Sequence, residues 1–189
     1  MVAIVDLAAT DRSADIDGLW VLTLKQVTDD RGTVREFYRG SALDDAGLPP
    51  LGPWAQVNLT ETRAGALRGM HAESMTKLVG IAAGAAYGVY VDLRPDSPTA
   101  GGVVTVDLRP GTQVLVPAGV GNGFQAITDC QYLYCFDHEW APGMAGSAIT
   151  PLDPALGVEW PVPVDTADHS QISAKDLAAP SLADVLSAS

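Results

Sequence analysis

The stretch of this chain best equipped for chemistry is Leu67-Arg68-Gly69-Met70-His71, with Lys77-Leu78-Val79 beginning six residues further on. The chain holds three histidines: His71, His138 and His169. His71 sits among apolar, Gly-punctuated runs, with an arginine three residues before it and a lysine six after. A neutral imidazole flanked by cations suits removal of a proton from a carbon next to a carbonyl. The cations would hold an anionic substrate and the enolate that forms. The plainer alternative is a structural histidine satisfied by a backbone carbonyl.

Two further constellations could join it. Tyr132-Leu133-Tyr134 places both phenols on one face of a strand by period-2 alternation. A phenol facing an interior can donate a proton to a carbanion, although an aromatic pair also simply fills a core. In Ser173-Ala174-Lys175-Asp176, a carboxylate could orient an imidazole and stabilise its charged form. It could equally be an acidic residue at a helix N-terminus. A metal site of His71, Glu73 and His138 lacks the close histidine pair that metal-binding double-stranded β-helices present, so no metal is expected. The phosphate-loop glycine patterns and Gly-x-Ser-x-Gly are absent from the sequence, which removes the usual signals of nucleotide hydrolysis and serine esterase chemistry.

These groups must be positioned by a body of 189 residues, enough for one domain with a sizeable core. Hydrophobic residues make up 47% and charged ones 18%, a globular composition. The net charge of −12 argues against nucleic acid or an anionic membrane as partner. It does not exclude an anionic small molecule, because Arg31, Arg35, Arg39, Arg63, Arg68 and Lys77 are concentrated in the first half. No apolar run reaches membrane-spanning length and the start lacks a signal-peptide pattern, so a cytoplasmic location is expected. Cys130 and Cys135 are an odd number of residues apart in one strand region, on opposite faces, and are expected as buried free thiols.

Residues 1–17 are expected to be a flexible segment. Residues 18–27 read as a strand, 28–32 as a turn and 33–38 as a second strand. Residues 41–53, with Gly and a Pro-Pro pair, allow a short helical turn or a loop. Short strands are then expected over 55–61, 66–70, 77–83, 85–93, 103–108, 113–117, 123–128 and 131–136. That spacing indicates a sandwich or barrel. Residues 177–188 read as helical. The Pro-rich stretch 153–163 could separate the β body from a C-terminal cap.

Taken together, these places resemble the dTDP-4-dehydrorhamnose 3,5-epimerase family, over about residues 21–186. The markers are Asp30-Arg31-Gly32, Leu67 to His71, Lys77-Leu78-Val79, Val91-Asp92-Leu93-Arg94 and Ser97-Pro98-Thr99. They continue with Val116-Pro117-Ala118-Gly119, Leu133-Tyr134, Leu152-Asp153-Pro154, Gly157 to Pro161 and Ser173 to Asp176. Their order and spacing together are specific for the family. The resemblance implies an all-β antiparallel jelly-roll (a cupin-like double-stranded β-helix) with a short C-terminal helical segment, one domain over 18–189. It implies a homodimer with N-terminal strands exchanged or packed against the partner, and no cofactor.

The substrate implied is a dTDP-linked 4-keto-6-deoxyhexose. By similarity, His71 would be the base that removes the proton α to the ketone and Asp176 its partner. Tyr134 would return a proton on the opposite face, and Lys77 would stabilise the enolate oxygen. Arg31 and Arg68 would contact the pyrophosphate region. Glu36, Asn58, Asn122, Glu139 and Lys175 complete the implied substrate-binding set. The chain departs from the family pattern in four places. Asn122 stands for the usual histidine before Gly-Phe, Gly88 for an aspartate, and Glu139-Trp140 for a Tyr-Tyr pair. The His71–Lys77 loop is also short. Those departures keep two alternatives open: an epimerase acting at one carbon, 3 or 5, and a catalytically silent sugar-nucleotide binder.

Overall fold

In a computed structural model of the chain, residues 2–188 are described. The first strands are β1 (Ala3–Val5), β2 (Ala8–Asp11), β3 (Trp20–Thr23), β4 (Gln26–Asp29) and β5 (Gly32–Arg35). A short helix, α1 (Gly40–Asp45), leads to β6 (Gln56–Thr62), β7 (Leu67–Glu73), β8 (Lys77–Ala83) and β9 (Ala86–Asp92). Then come β10 (Val103–Leu108), β11 (Thr112–Val116), β12 (Val120–Ala126), β13 (Cys130–Phe136) and β14 (Gly146–Ala148). A 3-10 turn (Pro154–Leu156) and two short helices, α2 (Ala174–Leu177) and α3 (Leu182–Ser187), close the chain.

The strands form a six-stranded sheet ordered β2-β3-β11-β8-β13-β6 and a five-stranded sheet ordered β10-β9-β12-β7-β14. The pairings within them are antiparallel. Alternation decides which side chains meet between the sheets. On β8, Val79 and Ile81 face inward, where they join Val114 and Val116 of β11 and Tyr132 of β13. From the other sheet come Tyr90 of β9, Leu108 of β10 and Phe124 of β12. Two sheets packed face to face around this core are the jelly-roll that the resemblance implies.

Each sheet also buries part of its outer face. Leu78 and Cys135 point away from the inner core and pack under Leu43, Leu48 and Trp54 of the α1 region. Met70, Ala72, Val89 and Val91 on the back of the other sheet are covered by Ile149, Leu156, Trp160 and Leu182. The Pro-rich stretch 153–163 therefore packs against the β body through Leu156 and Trp160. Cys130 belongs to the inner core and Cys135 to an outer layer, and both are free.

Residues 1–17, expected as a flexible segment, contain β1 and β2. β2 pairs with β3 at the edge of the six-stranded sheet, and β1 pairs with β4. Leu7 and Ala9 lie on an apolar layer, and Ile16 is fully buried. Their apolar side chains are too scattered to read as a periodic pattern. The C-terminal helical stretch is also divided. Pro180 has no N–H to continue a helix, and each half has its own cap: Ser173 accepts from the Asp176 N–H, and Ser181 from the Asp184 N–H. Among the described residues no helix is long and apolar enough to cross a membrane.

Candidate active site

A cleft of about 850 Å³ opens between the sheets, at the end where β7, β12, β8 and β13 meet the C-terminal segment. Its size falls in the usual range of small-molecule sites, roughly 300–1,000 Å³. His71, Lys77, Tyr134 and Asp176 line it, together with Arg68, Asn58, Asn122 and Lys175.

Arg68 and His71 are three apart on β7, so plain alternation would put them on opposite faces. A bulge brings them together. His71 stands opposite Asn122 while Arg68 stands opposite Phe124, so three steps on β7 match two on β12. Gly69 takes up the extra residue at φ 118°, and a Cβ there would lie 2.5 Å from the Gly123 Cα. The glycine is what lets the two strands approach at the bulge.

His71 Nε2 lies 2.8 Å from Asp176 Oδ1. The carboxylate side chain is 8% exposed and the imidazole 39%. Burial works against the charge on Asp176. Bonds from His71, Ser173 and the Gly69 backbone outweigh it, holding the carboxyl below its ordinary range. With Nε2–H donating to a carboxylate, Nδ1 of the neutral ring keeps the lone pair that a general base needs.

Lys77, the first residue of β8, is 1% exposed. Its Nζ donates to Glu73 Oε2 at 2.6 Å, to the His71 carbonyl at 3.3 Å and to Asn122 Oδ1. Burial pulls its pKa down, and the Glu73 charge works the other way. Tyr134, on β13, projects from the sheet opposite His71, flanked by Tyr132 at 4.7 Å and stacked on Phe136 at 5.6 Å between ring centroids. Burial raises its pKa well above that of an ordinary phenol, against the pull of the nearby Arg68 charge. Tyr134 is therefore protonated at neutral pH and available as a donor. Arg68 is steadied by a bond from its Nε to Thr62 Oγ1 at 3.1 Å.

Three expected contacts fall outside the cleft of this chain. Arg31, at the β4–β5 turn, is 90% exposed and paired with Asp29 at 2.6 Å. Glu36 is tied to Arg39 away from the cleft. Both belong to the projecting N-terminal hairpin, which does not fold back over its own cavity. Glu139 does not line the cleft, and its neighbour Trp140 does. His138 is 70% exposed and bonded to Asp137, so His71, Glu73 and His138 do not assemble; no metal-ligating cluster forms among the described residues. At Gly88, where the family has an aspartate, a Cβ would meet Leu108 Cδ1 at 2.9 Å and the Tyr90 hydroxyl at 3.1 Å, so a side chain there would need Leu108 to shift. The wall also includes Glu73, which the sequence offers only as a metal ligand, and His169 of the C-terminal loop, which carries no sequence signal of its own.

The dTDP-4-dehydrorhamnose 3,5-epimerase family model matches residues 13–184. The chain belongs to this family. A dTDP-4-dehydrorhamnose 3,5-epimerase of Streptomyces griseus is 35% identical over 181 residues, 92% of this chain and 87% of the relative. A dTDP-4-dehydro-6-deoxyglucose 3-epimerase of Streptomyces bikiniensis is 34% identical, covering 89% and 86%. Among solved structures, NovW, a 4-keto-6-deoxy sugar epimerase from the novobiocin gene cluster of Streptomyces spheroides, superposes with a TM-score of 0.84. It is 29% identical, with 97% of this chain and 92% of that one covered. Family members thus include both double and single epimerases. The cleft of this chain is lined by His71, Asp176 and Tyr134, the residues to which the resemblance assigns the roles of base, carboxylate partner and phenol.

Proposed function

We propose that this protein is a cofactor-independent epimerase that inverts C3, C5 or both in a dTDP-linked 4-keto-6-deoxyhexose. The observation that carries the reading is one cleft walled by the His71–Asp176 pair on one side and Tyr134 on the opposing sheet. The C4 ketone acidifies hydrogens at C3 and C5, yet these remain far weaker acids than an imidazolium. Most of the barrier must therefore fall by stabilising the enolate rather than by base strength. His71 takes the proton, Asp176 fixes the imidazole and balances its charge, and Lys77 bears on the developing oxyanion. Tyr134 returns a proton from the other face. A single base would put the proton back where it came from.

Arg68, Asn58, Asn122 and Lys175 serve as the chain's own substrate contacts. Arg31 and Glu36 fit the same role only in the cleft of a second copy. A homodimer accounts for that, and for the exposed three-stranded sheet β1-β4-β5, which leaves Ile4 63% and Val34 71% exposed. Buried free Cys130 and Cys135 suit a reducing, cytoplasmic setting.

Asn122 in place of the family histidine favours action at one carbon as the second reading, because the position keeps a hydrogen bond and loses an ionisable ring. Turnover of a dTDP-4-keto-6-deoxyglucose substrate in D2O decides between them. Deuterium at both C3 and C5 supports the double epimerase, and at one carbon the single one. No uptake leaves a silent binder and refutes the proposal.

A further inference from the structure

An ammonium group has three N–H donors, and in Lys77 all three are matched by protein acceptors. No donor is left over for a substrate oxygen. Two of the acceptors are fixed in place. The His71 carbonyl belongs to the backbone of β7, and Asn122 is buried on β12. The third is Glu73, the last residue of β7, whose side chain is 22% exposed and lines the cleft.

A nearly fully buried ammonium loses most of its hydration, which favours the neutral amine unless an opposite charge stands close. The ionisable groups around the cleft supply one such charge. Arg68 and His71 share β7 with Glu73, Tyr134 faces from β13, and His169, Lys175 and Asp176 come from the C-terminal segment. Arg68, Lys175 and the histidines cannot offer an anion. Tyr134 is a protonated phenol, and Asp176 is engaged by His71. Glu73 is the carboxylate bonded to Lys77.

We propose that Glu73 is a positioning residue: its carboxylate keeps the buried Lys77 ammonium charged and aimed into the cleft, and yields its place on Nζ to the substrate's carbonyl oxygen. An enolate oxygen is itself an anionic acceptor, so once the proton has been removed the ammonium is again matched by an anion. The role of the substrate oxygen rests on the epimerase reading, whereas the Lys77–Glu73 pairing does not.

The chain contains three lysines, Lys25, Lys77 and Lys175. Their side-chain signals can be followed by NMR in the ligand-free, full-length protein labelled at lysine Cε, each assigned by a Lys→Arg variant. In Glu73→Gln, which keeps the shape and removes the charge, the Lys77 titration should move to lower pH. In Glu73→Asp it should stay nearer the parent. Thermal melting checks that both variants are folded; if the Gln variant is not, Glu73→Ala, which also removes the charge, takes its place with the same expected shift. The alkaline limb of deuterium uptake in Glu73→Gln should move to lower pH in parallel. An unmoved Lys77 titration in the variant that lacks the Glu73 charge, or an equal loss of its rate at every pH, overturns the inference. The titration needs no substrate, so absence of uptake in the parent protein would fall on the epimerase reading alone.

Discussion

His71 and Asp176, 105 residues apart in sequence, meet with Nε2 2.8 Å from Oδ1. One comes from the middle of a β-strand, the other from the single turn of α2 that packs beside β7. The carboxylate is capped at its own backbone by Ser173 and touched by the Gly69 N–H. The bulge that turns His71 toward the cleft therefore also helps to hold its partner.

Replacing that carboxylate with its amide tests the pair. Asp176→Asn keeps the size of the side chain but can donate toward Nε2, which favours the wrong tautomer. The rate of deuterium uptake should fall by about 10²-fold or more, with little change in the melting temperature. An unchanged rate would remove Asp176 from the mechanism.

Tyr134→Phe separates abstraction from return. The ring still packs between Tyr132 and Phe136, so the fold should persist. Exchange of the substrate proton should continue, while formation of inverted product drops by roughly 10²-fold, the usual worth of a placed acid. Equal loss of both would show that the phenol acts before or during abstraction.

Part of this architecture can be read from the sequence for physical reasons that can be named, whereas the meeting of Asp176 with His71 is implied by the family resemblance alone. Residues 77–83 and 103–108 carry β-branched and apolar side chains bounded by turn residues, and β8 and β10 occupy those ranges. Alternation placed Tyr132 and Tyr134 on one face and the two cysteines on opposite faces. It could not place Arg68 beside His71, because a bulge breaks the period and Gly69 alone hints at it. Nor could it show that Arg31 and Glu36 stand clear of the cleft, since sequence gives no direction for a projecting hairpin. Glu73 was legible as an acid but not as the partner of Lys77, a contact created by the short connection between β7 and β8.

Gly69→Ala tests the bulge. The added methyl would press on the Gly123 Cα and on the Asn122 carbonyl, 2.8 Å away, both backbone atoms that have no easy way to move. Destabilisation of about 3 kcal/mol or more is expected in denaturant unfolding. A loss under about 1 kcal/mol would mean that the strands can part without harm.

Acid stability has a marker remote from the cleft. Burial of Asp92 opposes its charge, but Arg94, Ser97 and Thr99 more than offset it, and the carboxyl is lowered from 3.8 to about 2. A depressed carboxyl stabilises the fold above its unfolded pKa and ceases to as pH falls through the folded value. Asp92 should therefore contribute about 2 kcal/mol near neutrality, lost between about pH 4 and 2. Asp92→Asn should flatten the unfolding profile across that window; an unaltered profile would contradict the assignment.

The central claim is that one imidazole takes the proton. The direct measurement is deuterium uptake from D2O into a dTDP-4-keto-6-deoxyglucose substrate by the parent protein and by His71→Ala, followed by mass spectrometry. The parent should incorporate solvent deuterium and the variant should incorporate none above the uncatalysed background. Uptake by a folded His71→Ala protein at the parent rate would contradict the account.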